Sequence, residues 1–231
     1  SFAKKLGREL LIDDETAYVG KKNFYKYDLD VFNIQSKKAP VNFKFLGSLG
    51  YLKRKTFKYL DRFNAAKNFY TESRDKNKNT LFNEDAIQGN FKDTLHVEGH
   101  FETEKYFKNY MNDVKKEFIF KNVNYFKKTQ IYKDIKNSNS VCICVRQNRF
   151  SERKRAITKK DEENSLIFTK DQIDYIKKSI NIINSRVENP KFFLWSNDHK
   201  NLTNYFPVNE FTPVSTKKID SDLFLMTQAK H

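Results

Sequence analysis

Glycine is scarce in this chain, six in 231 residues, and none stands in the basic segment 146–155. That excludes a Walker phosphate loop and a Gly-x-Gly-x-x-Gly turn, which need glycine where backbone amides approach a phosphate. Cysteine is scarcer still. The pair, Cys142 and Cys144, is separated by one residue. On a strand both point to one face and are not expected to bond to each other, and with no further cysteine the chain reads as one from a reducing compartment. The four His are scattered, and with a Cys-x-Cys pair they offer no tetrahedral spacing, so no metal and no cofactor is expected. No apolar run approaches the roughly 18 residues of a bilayer span. The start reads as the tail of an amphipathic helix, not as a secretory signal.

What is present suits a globular fold. Apolar residues make up 38% and aromatics 15%, enough for one large domain or two small ones. The formal charge of +15 invites a nucleic-acid reading. Its bases are mostly Lys, spread along the whole chain beside Asn, Ile, Phe and Tyr. All of these have AT-rich codons, so the charge reads as solvated helix faces and no nucleic acid is expected.

The second half carries the clearest pattern. Val141-Cys142-Ile143-Cys144-Val145 is a run of five apolar residues between polar ones, a strand buried on both faces as in a parallel sheet. Such sheets bind ligands at the carboxyl ends of their strands. Here that end delivers Arg146, followed by Arg149, Arg153 and Arg155. A helix opening at Thr169 with Gln172 as its capping-box partner is expected next, with a stripe of Ile173, Ile176, Ile180 and Ile183. A second buried strand, Lys191 to Trp195, ends in Ser196-Asn197-Asp198. A short helix to Phe206, an extended segment near Glu210-Phe211-Thr212 and a final helix follow. This alternation is the mark of a Rossmann-like sheet.

In the first half, Phe2 to Gly7 reads as a last helical turn closed by Gly, Glu9 to Asp13 as a strand, and Tyr27 to Phe32 as a half-exposed strand. Residues 47–93 hold one or two helices, with loops at 77–79 and 88–90. Leu95 to His100 is a strand running into a turn. A helix then starts with Thr103 as N-cap and an apolar face from Tyr106 to Phe118. The polar stretch 121–139 places the domain boundary at 138/139, and both ends of the chain read as cut.

Several of these segments, in chain order, resemble the bacterial and animal α-1,2-fucosyltransferases. Phe2 to Asp13 resembles the helix and strand after that family's Gly-Asn-Gln loop, and Tyr27 to Ile34 its tyrosine–leucine–aspartate strand. Gly99 to Phe107 is similar to its glycine–aromatic–aromatic–Gln-Ser-Glu-Lys-Tyr-Phe element, Ser196-Asn197-Asp198 to its Ser-Asp-Asp turn, and Asp222 to His231 to its Asp-x-x-Leu-Met-Ser-x-x-Lys-His helix. The family's His-x-Arg-Arg-Gly-Asp motif falls on Cys144, Val145, Arg146, Gln147, Asn148 and Arg149, so only the first Arg is kept. The resemblance implies a GT-B-like fold of two Rossmann-like halves: an acceptor-side domain over 1–138, and an incomplete nucleotide-sugar domain over 139–231. It implies metal-independent transfer of fucose from GDP-fucose to a galactoside hydroxyl of a glycan acceptor, with inversion. It also implies a bacterial, cytoplasmic protein of glycan biosynthesis, peripheral at the inner face of the membrane. The segment alone is expected to turn over poorly.

Negative charge grows on the leaving diphosphate in such a transfer, so a fixed guanidinium favours the transition state. Arg146 is the residue placed there, against the plainer reading of a structural salt bridge. Arg149 is a second donor contact, or an exposed loop residue. Asn197 and Asp198 hold base or ribose by the resemblance; on their own they suit a turn or cap. On the acceptor side the candidates are His100 and Glu102, which otherwise fit a surface turn and a helix's first turn. Two alternatives stay open: a basic non-catalytic α/β module binding a polyanion such as nucleic acid or a membrane surface, and a relative using another nucleotide sugar.

Overall fold

The computed structural model describes residues 2–16, 27–72, 82–83, 88–152, 156–216 and 218–231. The chain is a mixed α/β protein with small parallel sheets, compatible with a Rossmann-like class. It divides into two units, Ser1–Ile119 and Phe120–His231. Among the described residues no helix is long and apolar enough to cross a membrane.

In the first unit, α1 (Phe2–Lys5) runs to Gly7, and β1 (Leu11–Ile12) pairs in parallel with β2 (Lys37–Lys38). The strand expected over Tyr27 to Phe32 is instead a 3-10 turn at Leu29–Val31. Among the described residues of this stretch only Phe32 makes a β-bridge, and its buried ring lies 5.1 Å from that of Phe118. α2 (Gly47–Leu60) leads to β3 (Lys67–Thr71), which pairs in parallel with β4 (Phe91–Glu98). Asp61 joins helix to strand. Buried just past α2, it accepts hydrogen bonds from the amides of Asn68 and Phe69, each at 2.8 Å. Thr103 caps as expected, accepting from the Lys105 amide. It opens two 3-10 turns, Glu104–Tyr106 and Lys108–Tyr110, and the α-helix, α3, covers only Met111–Glu117.

The second unit positions the site. α4 (Asn124–Lys127) and α5 (Gln130–Lys136) precede β5 (Asn139–Val145), α6 (Lys159–Arg186), β6 (Pro190–Ser196), β7 (Phe211–Val214) and α7 (Ile219–Met226). The three strands form one parallel sheet in the order β5-β6-β7. On one face Val141, Ile143, Val145, Phe192, Leu194 and Phe211 pack with Ile173 and Ile176 of α6. On the other, Phe193, Trp195 and Val214 pack with Phe126, Ile135, Phe224 and Leu225. Both faces are covered, which is why β5 and β6 read as unbroken apolar runs. After α7 the chain returns to β5. The His231 amide donates to Ser140 O at 3.0 Å and its carbonyl accepts from the Cys142 amide at 2.8 Å, the two bonds of a parallel bridge.

One expectation changes. The helix after the basic loop opens not at Thr169 but at Thr158, whose hydroxyl and the Asp161 carboxylate form a reciprocal capping box. Thr169 lies buried mid-helix, its hydroxyl donating to Ser165 O at 2.9 Å. The two compact units divide at 119/120. Residues 120–138 supply Phe126 and Ile135 to the sheet core, so their polar average hides an apolar face.

Candidate functional site

The register of β5 on β6 pairs Val145 with Ser196, so both strands end level and Arg146 and Asn197 leave the sheet side by side. Two amide side chains then pin the exit of β5. Gln172 of α6 accepts from the Arg146 amide at 3.2 Å and donates to its carbonyl at 2.9 Å. Asn197 does the same for Gln147, accepting at 2.7 Å and donating at 2.8 Å. Each clip satisfies one backbone donor and one acceptor where the ladder stops.

Gln147 ties the two loops further, donating from Nε2 to Asp198 O at 2.5 Å and Lys200 O at 3.0 Å. Asn148 sits at φ +54°, the left-handed region, and its carbonyl accepts from the Ser151 and Glu152 amides at 3.0 and 2.7 Å. Asn is, after Gly, the residue that takes this conformation most readily. Its side-chain amide reaches Asp198 Oδ2 at 3.4 Å.

The turn brings Glu152 back onto Arg146. The guanidinium donates through Nε to Glu152 Oε1 at 3.1 Å, and through Nη2 to the same oxygen. The other carboxylate oxygen accepts from Asn197 at 3.0 Å. Arg146, Glu152 and Asn197 therefore form one connected group on the rim. Arg149 is exposed, its guanidinium 5.2 Å from the Phe168 ring centroid. Asp198 stays in the turn, its carboxylate accepting from the Lys200 amide at 2.8 Å. Beside it, His199 Nε2 is buried with no hydrogen-bond partner among the described residues. Arg153 and Arg155 lie outside the described residues.

Arg146, Asn197 and Asp198 lie together where β5 and β6 end. The sequence alone missed Gln147, Glu152 and Gln172. No local signal could have found Gln172, whose partner is 26 residues away.

His100 and Glu102 belong to the first unit. Glu72 Oε2 accepts the amides of His100 and Phe101 at 2.7 and 2.9 Å. A Cβ on Gly99 would lie 2.5 Å from Glu72 Cβ, so this turn needs glycine. Glu102 is exposed, and it is Thr103, not Glu102, that caps the 3-10 turn at Glu104–Tyr106.

On the other face of β5 the Cys142 and Cys144 sulfurs are 3.8 Å apart, and Cys144 Sγ is 3.8 Å from Met226 Sδ. The hydrogen bond from Cys142 lowers the Cys144 thiol to about 7, against the upward push of burial, and Cys142 is pushed up in turn. Among the described residues no three His, Cys, Asp or Glu side chains gather where a metal would be held. The chain matches no protein-family model, no curated protein and no solved structure.

Proposed function

We propose that the chain is a glycosyltransferase of the α-1,2-fucosyltransferase kind, with GDP-fucose held against the rim of the β5–β6–β7 sheet. The observation that carries this reading is the level ending of β5 and β6, which sets Arg146 beside Asn197 and Asp198. A second observation supports it. The position of the family motif's glycine is Asn148, and it takes the left-handed conformation that favours glycine. The finer architecture belonging to this reading is GT-B-like, with His100 and Glu102 on the acceptor side.

In the transfer, the acceptor hydroxyl oxygen attacks the anomeric carbon from the face opposite the leaving group and gives up its proton to solvent water. The carbon–oxygen bond to the diphosphate breaks, and its electron pair stays on the phosphate oxygen. Arg146 bears its charge where that oxygen's charge grows. For this the guanidinium exchanges Glu152 for the diphosphate.

The exchange makes two variants diverge. Calorimetric titration with GDP, with UDP as control, is expected to give saturable binding selective for GDP. Arg146→Ala removes a charge-assisted bond worth about 1.5–3 kcal/mol, so affinity drops by roughly ten- to a hundred-fold. Glu152→Gln removes the competing anion, and GDP binds more tightly. If both variants lower the melting temperature and neither changes GDP affinity, Arg146 is a structural salt bridge and the reading fails. Binding that disappears with salt regardless of Arg146 supports a polyanion-binding module instead.

A further inference from the structure

α2 is built inside out. At 3.6 residues per turn, Gly50, Arg54, Phe57 and Lys58 share one arc and face the unit. A Cβ on Gly50 would overlap the Phe45 carbonyl carbon, so the helix seats directly on that backbone. Arg54 grips Glu98 through two nitrogens at 2.7 and 2.6 Å, and Lys58 reaches the same carboxylate at 2.6 Å. The charged side of the helix is thus spent inward. The opposite arc carries Leu49, Leu52, Thr56, Tyr59 and Leu60, with Phe63 continuing it in the next turn.

That outer arc is apolar and open to solvent. Leu49 is 82% exposed, Leu52 60% and Phe63 73%. Tyr59 and Phe63 lie edge to face at 5.4 Å, which makes the patch contiguous. Contiguous apolar surface of this kind marks an interaction site.

The flanks identify the partner. Lys53 stands on one side of the arc, Lys55 and Arg62 on the other, and among the described residues none has a carboxylate within ion-pair distance. Each lies over an aromatic ring instead: Lys53 over Phe57, Lys55 over Tyr51 and Arg62 over Tyr59. The single acid between residues 47 and 63 is Asp61, buried and occupied by the Asn68 and Phe69 amides. An apolar stripe edged on both sides by bases, and on one side by tyrosine, matches a bilayer surface, whose acyl boundary lies beneath a layer of anionic headgroups. The net charge of +15 favours approach to the same surface.

We infer that α2 docks the protein on an anionic phospholipid surface, lying in the headgroup plane with Leu49, Leu52, Tyr59, Leu60 and Phe63 inserted. This inference stands independently of the glycosyltransferase reading. The test is co-sedimentation of the full chain with vesicles of phosphatidylcholine containing a minority of phosphatidylglycerol, beside pure phosphatidylcholine vesicles. The chain is expected to pellet with the first and to stay largely in solution with the second. Leu52→Glu with Phe63→Glu abolishes pelleting without changing the melting temperature, because both positions are exposed. Lys53→Gln, Lys55→Gln and Arg62→Gln each lower partition by about five-fold. The inference is overturned if the folded chain ignores anionic vesicles, or if pelleting survives the α2 variants and therefore comes from lysines elsewhere. A dimer dissolved by Leu52→Glu, with no vesicle binding, overturns it in favour of a second copy as the cover.

Discussion

Cys144 lies exposed on β5, and its sulfur contacts two others, Cys142 and Met226, each at 3.8 Å. The thiolate is the reactive form of cysteine. The neighbouring thiol pulls the Cys144 thiol below its ordinary value, and Cys144 is exposed. Alkylation by iodoacetamide, followed by mass spectrometry over a pH series, is expected to modify Cys144 first, with a midpoint near 7. Cys142→Ala removes the hydrogen bond and moves that midpoint up. An unmoved midpoint would show that the neighbouring thiol has no part in it. At this scale the sequence was informative about residue types and poor about partners. Arg146 and Asn197 stood out because each follows a buried strand. Glu152 looked like one charge in a charged loop, and only the left-handed turn at Asn148 carries it back to Arg146.

Elements are legible where burial is apolar and local. β5 and β6 announce themselves because both their faces are covered by hydrocarbon. The first half of α6 does not, since its buried side is Asp161, Ser165 and Thr169. Ser165 and Thr169 return their hydroxyls to the helix's own carbonyls at 2.8 and 2.9 Å, so polar residues sit where a stripe would be sought. The β3–β4 pair hides a titratable core in the same way. His96 packs in a triangle with the rings of Phe45 and Phe69, at 4.7 and 4.9 Å. Burial first and the Lys53 charge second push it below its ordinary 6.5, against the opposite pull of Glu98, Asp13 and Asp61. The unfolded chain therefore takes up this proton before the folded one does. Stability falls as pH drops through about 6.5, and the loss levels off only below the folded value. Thermal melts between pH 8 and 5 are expected to show the first unit losing a few degrees. His96→Phe keeps the stacking and removes that His-specific loss. An identical pH profile in the variant would place the origin elsewhere.

For the whole molecule, the decisive question is which chain length completes the three-stranded sheet. Counting from the polar stretch at 121–139 gives a unit starting at Asn139, but the core gives one starting at Phe120. Ile135 is fully buried and Phe126 nearly so, both against Phe193 and Trp195. Removing a buried Ile or Phe side chain costs about 2–5 kcal/mol in a packed core. Losing two of them, together with the backbone that carries them, consumes most of the roughly 5–15 kcal/mol that holds a domain folded. A fragment of residues 120–231 is therefore expected to melt cooperatively. Its single tryptophan, Trp195, is 2% exposed, so emission should be blue-shifted. A fragment of residues 139–231 uncovers that face and should emit as solvated tryptophan, without a cooperative transition. Equal melts from the two fragments would mean that α4 and α5 rest on the sheet without supporting it. The rim of Arg146 and Asn197 would then belong to the 139–231 segment alone.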